Sequence, residues 1–299
     1  MHVLTKFITI VSALATVVAL VACDGNGSAS PDSVEYSSDS KVECSDSNDD
    51  ASSSSAVSSS GINSSSSSQV LSSSSDKTGA KFEYGSLVDS RDNHSYKTIK
   101  VGSQTWMAEN LNFAPDSAEY VGIDKPSWCY LDNADSCAKY GRLYTWASAI
   151  DSVGTFSKIA EGCGIGVACS TLNSTTVARG LCPDNWHLPN VYEWMTLLES
   201  VATSVDGGAF YGAGMALKSN TGWNVDGNGA DTYGFSVLPA GLNSGKLNFE
   251  NVGDYGYFWT ATEIDVDNSV FIAFLGNESN VYTSTMYKDR AFSIRCIKD

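Results

Sequence analysis

Histidine is scarce, basic residues are outnumbered and no cysteine pair has zinc-site spacing; each shortage removes a class of function. Only His2, His94 and His187 occur, and His2 falls in the leader, so a serine–histidine–acid hydrolase is hard to assemble. Lys and Arg total 18 against 34 Asp and Glu, a net charge of -16. The acidic excess is shared along the chain, which argues against nucleic acid as a partner. No C-x2-C pair is present, which argues against a zinc site, and no G-x-S-x-G, H-E-x-x-H or phosphate-binding glycine loop appears.

What is present begins with an export signal. Lys6 precedes an apolar run from Phe7 to Val21 that is shorter than the roughly 20 residues a spanning helix needs. The run ends in Leu20-Val21-Ala22-Cys23, which resembles the lipobox of bacterial lipoproteins. That implies a signal peptide over 1–22, cleaved before a diacylated Cys23 that anchors the chain to a membrane; the alternatives are an ordinary secretory signal or an uncleaved anchor. From Asp24 to Ala80 the chain is dominated by Ser, Asp, Asn and Gly. Too little apolar surface exists there to offset ordering costs of about 1–2 kcal/mol per residue, so 23–80 reads as the lipidated cysteine and a disordered tether. Its root-mean-square span is roughly 40 Å. Cys44 stands alone within it, free or paired with another chain.

Residues 81–299 have the composition of one large domain. Two β-prone runs between Gly85 and Val101 flank a polar turn at Asp92 and Asn93, predicting a hairpin. The aromatic segment Gln104–Leu111 is expected to pack against the sheet, and Cys129–Ala149 to form a small disulfide loop leading into a helix. A second helix is marked by Asn190 at its cap, Glu193 three residues on, and Val191, Trp194, Leu197, Leu198 and Val201 at helical spacing. Strands are expected over 233–238, 257–262, 270–275 and 292–297. Strands, two helices, then strands argue for an α+β domain with a largely antiparallel sheet. Six domain cysteines in an exported chain argue for disulfides, and their spacing favours Cys129–Cys137, Cys163–Cys169 and Cys182–Cys296.

These segments resemble the Fibrobacter succinogenes major paralogous domain, a family of exported bacterial domains of unknown activity. The resemblance rests on Tyr96-Lys-Thr-Ile-Lys-Val-Gly-Ser-Gln-Thr-Trp-Met-Ala-Glu-Asn-Leu111, Tyr140-Gly-Arg-Leu-Tyr-Thr-Trp146, Cys182-Pro-Asp-Asn-Trp-His-Leu-Pro189, Tyr233-Gly-Phe-Ser-Val-Leu-Pro-Ala-Gly241 and Ser293-Ile-Arg-Cys296. A second echo, His187-Leu-Pro-Asn-Val-Tyr-Glu-Trp194, is similar to a signature of formylglycine-generating-type domains and implies a C-type-lectin-like fold. Fold alone implies no activity.

Candidate chemistry is sparse. Asn224, Asp226 and Asn228 alternate like the first half of a calcium loop with Asp231 following, but Phe235 occupies the position where a calcium-binding hand needs Glu. An Asx-stabilised turn is favoured over a looser calcium site. Glu263, Asp265, Asp267 and Asn268 form a second acidic cluster that reads as a solvated loop. His187, between Trp186 and Leu188, reads as a buried structural histidine. Most of the seven Trp and fourteen Tyr stand in apolar contexts and read as core, although a sugar-binding surface is the alternative. No catalytic residue and no cofactor is assigned. The expectation is an extracytoplasmic, lipid-anchored binding or adhesion module for polysaccharide or protein, at the outer membrane or cell surface. The alternatives are an enzyme of formylglycine-generating or glycan-cleaving type, or a structural envelope protein.

Overall fold

A computed structural model describes residues 82–120, 125–245 and 247–299; the stretches read as a signal peptide and a disordered tether, with Cys23 and Cys44, lie outside those residues. The domain opens with the expected hairpin. Strand β1 (Gly85–Val88) pairs antiparallel with β2 (Ser95–Val101), whose alternate burial of Tyr96 and Thr98 marks a half-buried strand. At the turn, Asp92 accepts the His94 N–H at 2.9 Å and Asn93 takes a φ of 60°. The aromatic segment from Gln104 does not pack on this sheet but joins it: β3 (Gln104–Met107) pairs along β2.

The Cys129–Cys137 loop also differs from expectation. Helix α1 (Ala134–Tyr140), capped by Asn133, starts inside the loop and carries Cys137 itself, and a strand separates it from the helical turn at 146–149. Strands β4 (Ser127–Trp128) and β5 (Leu143–Thr145) pair before the single turn of α2 (Trp146–Ala149). Next come β6 (Trp186–His187) and the predicted helix, α3 (Val191–Val201). The Asn190 side chain accepts the Glu193 N–H at 3.1 Å, and the Glu193 carboxylate accepts the Asn190 N–H at 2.8 Å, closing a capping box. All five predicted apolar positions of α3 are buried.

After α3 come β7 (Ser204–Asp206), β8 (Ala209–Tyr211), α4 (Ala213–Leu217), β9 (Leu242–Asn243), β10 (Phe249–Glu250), β11 (Tyr255–Glu263), β12 (Asn268–Leu275), β13 (Val281–Tyr287), β14 (Ala291–Phe292) and β15 (Ile297–Lys298). Three five-stranded sheets result, ordered β1-β2-β3-β15-β6, β10-β9-β14-β5-β4 and β11-β12-β13-β8-β7. Every pairing between these strands is antiparallel. The α+β reading therefore holds in coarse form, with four short α-helices among the described residues where two were expected.

Two predicted strands are broken. Residues 233–238 form none, because Gly234 and Ser236 both take positive φ and the Asp231 carboxylate gathers the Ser236 N–H and hydroxyl. Residues 292–297 are split because the backbone changes partners: Ser293 bonds with β11, whereas the carbonyls of Ile294 and Cys296 accept N–H groups of Leu111 and Met107.

The β11–β12 hairpin divides the interior. Phe271 and Ala273 face one core with Trp146, Trp259 and Phe292, whereas Ile272 and Phe274 face another with Trp106, Trp194 and Phe258. Burial on both faces explains why 270–275 is an unbroken apolar run rather than an alternating one. The three cysteine pairs form as the spacing indicated, with Cys182–Cys296 joining chain positions 114 residues apart.

Candidate functional site

Arg295 occupies the middle of the domain with no exposed surface. Its Nε and Nη2 donate to the Asn110 side-chain oxygen at 3.2 and 3.1 Å, Nη2 also donates to the Ser236 carbonyl at 3.1 Å, and Nη1 donates to the Phe235 carbonyl. The guanidinium carbon lies 4.4 Å from the centre of the Phe235 ring. Burial pulls its pKa down, while the charges of Asp231 and Glu109 pull it back up. Asn110 in turn donates to the Tyr140 carbonyl at 2.8 Å and the Ser293 hydroxyl at 3.3 Å. One guanidinium and one amide thus tie together the segments around 110, 140, 235 and 295.

Above this strut lies a cleft of about 290 Å³. Its aromatic side chains are Tyr84, Tyr96, Tyr140 and the His94 ring, and its polar ones include Asn110, Asn112, Asn220 and Thr221. Tyr96 is buried, its hydroxyl accepts the Asn112 N–H at 2.9 Å, and burial raises its pKa, so it stays protonated. The two carboxylates of the cleft are occupied. Glu109 accepts the Lys97 backbone N–H at 2.7 Å, and Asp231 accepts the Ser236 N–H at 2.8 Å and its hydroxyl at 2.5 Å. Gly141, with a φ of 73°, has the Asn110 Cβ 2.8 Å from where its own Cβ would stand; a side chain there would displace the amide.

The remaining predicted residues sit elsewhere. In the calcium-like loop, Asn224, Asp226 and Asn228 are exposed and Asp231 is buried. Asn228 accepts the Trp223 N–H at 3.1 Å, while Asp231 turns to Ser236 and the cleft. The cation beside this loop is a missed one: the buried Lys218 ammonium donates to the carbonyls of Leu275, Gly276 and Glu278 at 3.0, 3.0 and 2.9 Å. Burial lowers its pKa to about 8. Among the described residues no group of three or more His, Cys, Asp or Glu is placed to hold a metal.

The second acidic cluster divides. Asp265 accepts the N–H groups of Asp267 and Asn268 in an exposed turn. Desolvation, the largest single influence, raises its pKa, but these hydrogen bonds, the Asn268 side-chain amide and the Lys288 charge together outweigh it and hold the pKa low. Glu263 instead pairs at 2.5 Å with Lys288, another buried lysine, and accepts the Cys169 N–H at 2.7 Å, fastening the Cys163–Cys169 loop to the β11–β12 hairpin. His187 is buried as expected, with Nδ1 2.6 Å from Asp299 and Nε2 2.8 Å from Glu193. Burial lowers its pKa, but the two carboxylates outweigh that and the net shift is upward. Trp106, Trp146 and Trp259 are fully buried, in keeping with a core role.

Sequence reasoning missed Arg295, Lys218 and Lys288, since nothing local distinguishes them from surface cations. The Ser-Ile-Arg-Cys match was the one signal available for Arg295. The model of the Fibrobacter succinogenes major domain matches residues 99–298, so the chain belongs to that family. Neither a curated relative nor a solved structure matches it.

Proposed function

We propose that this member of the Fibrobacter succinogenes major domain family is a non-enzymatic glycan-binding module whose site is the cleft above Arg295. One observation carries the reading. Three separate segments of the family resemblance, around 96–111, 140–141 and 236–238, line a single open concavity with tyrosine walls and amide groups, and a fourth, at Arg295, lies buried beneath it holding Asn110 and the Ser236 carbonyl. Sugars present apolar C–H faces and fixed hydroxyls, and this mixture of ring faces and planar polar groups suits both. Six paired cysteines leave no domain thiol for formylglycine-type chemistry and suit an oxidising, extracytoplasmic location. The lipobox-like Cys23 and the Ser-rich stretch after it fit a tethered, membrane-anchored protein. A C-type-lectin-like fold accords with the antiparallel sheets, the short helices and a disulfide reaching the last strand.

A glycan array probed with the full chain tests the reading. Binding is expected to weaken about tenfold or more in Tyr140→Ala and Tyr84→Ala, with folding intact by circular dichroism. No glycan bound above background, or binding indifferent to both changes, would overturn it. The anchor has its own assay: labelling with an alkynyl fatty acid should vanish in Cys23→Ser.

A further inference from the structure

We infer that the cleft selects an acidic glycan, one bearing uronate carboxylates, with Lys97 and Lys139 as the groups that read the charge. The inference deepens the glycan-binding reading and rests on it. The chain carries a net charge of -16, yet the balance at the cleft is inverted. Lys97, Lys139 and the underlying Arg295 stand against two carboxylates, Glu109 and Asp231.

The anions and cations there also differ in how far they are committed. Asp231 has both oxygens engaged by Ser236, Glu109 has one engaged by the Lys97 N–H, and both carboxylates lie in the field of Arg295. The two ammonium groups form no ion pair among the described residues. Each lies over a tyrosine of the cleft instead, Lys97 at 5.7 Å from the Tyr84 ring centre and Lys139 at 4.6 Å from that of Tyr140. A ring face holds an exposed ammonium only weakly, so either lysine can turn to a carboxylate while its tyrosine receives the sugar face. Lys97 belongs to β2 and Lys139 to α1, so the two charges reach the cleft from different elements and can meet successive residues of a polyuronate.

The test uses the full chain with three probes: hexagalacturonate, the same oligosaccharide fully methyl-esterified, and dextran sulfate. Each partly exposed ammonium–carboxylate contact changes affinity by a small factor, so two predict about a tenfold preference for the acid over the ester at low salt. That preference should shrink as salt rises and disappear in K97Q/K139Q, with the urea midpoint unchanged as the folding control. The ester or neutral array glycans binding as well as the acid would overturn the inference and leave the glycan-binding reading standing. Dextran sulfate binding equally well would overturn it as mere ion exchange. Failure of every glycan, charged or neutral, would overturn the underlying reading as well.

Discussion

Replacing Arg295 with Met keeps much of the stem volume and removes the guanidinium from a site with no exposed surface. Three acceptors then lose their donors: the Asn110 side-chain oxygen and the carbonyls of Phe235 and Ser236. A buried polar group left unsatisfied costs about 1–3 kcal/mol, so the three together set a penalty of roughly 3–9 kcal/mol. Relief from burying a charge offsets part of it, because replacing buried ions by apolar groups recovers about 1–4 kcal/mol. A net loss of about 3–4 kcal/mol is expected, read from urea unfolding followed by tryptophan fluorescence. Combining Arg295→Met with Asn110→Leu removes one stranded acceptor with its donor, so the double mutant should be about 1–2 kcal/mol more stable than the sum of the singles implies. A single-mutant loss below about 1 kcal/mol, or strict additivity in the pair, would refute the account of Arg295 as the strut beneath the cleft.

Other perturbations have equally definite outcomes. The raised pKa of His187 means its contribution is fully present below the unfolded value near 6.5 and is lost as pH rises through the folded value. The unfolding free energy from urea titrations should therefore fall across that window with a slope of at most about 1.4 kcal/mol per pH unit, and His187→Asn should flatten it. Removing the Cys182–Cys296 bridge as a double serine mutant should cost about 3–5 kcal/mol, measured by thermal or urea unfolding, since it frees a loop of 114 residues. Lys288→Met alone should cost about 3–5 kcal/mol by stranding the Glu263 carboxylate, and Lys288→Met with Glu263→Met should restore most of it.

The parts of the fold legible in the sequence are those determined within a few residues. Helix α3 was readable because its capping box spans three positions and its buried stripe follows the helical repeat. The β1–β2 hairpin was readable because its turn is closed by Asp92 acting on a residue two away. Residues 233–238 misled because a β-prone run says nothing about the Asp231 carboxylate that folds Ser236 back. The buried cations were illegible for a related reason. The carbonyls that hold Lys218 lie 57 to 60 residues along the chain, and the amide that holds Arg295 lies 185 away. The cleft shares that difficulty, because its walls come from six stretches of chain, and the family motifs that some of them carry say nothing about their meeting.

Strands β11 and β12 are a wall common to two rooms: each of the two larger cores uses them as one of its sides. Neither room can be dismantled while the other stays standing, since removing the wall opens both. Melting should accordingly proceed as a single concerted event across the domain. The amide protons of Phe271 to Phe274 should exchange with deuterium only through whole-molecule opening, among the slowest in the protein.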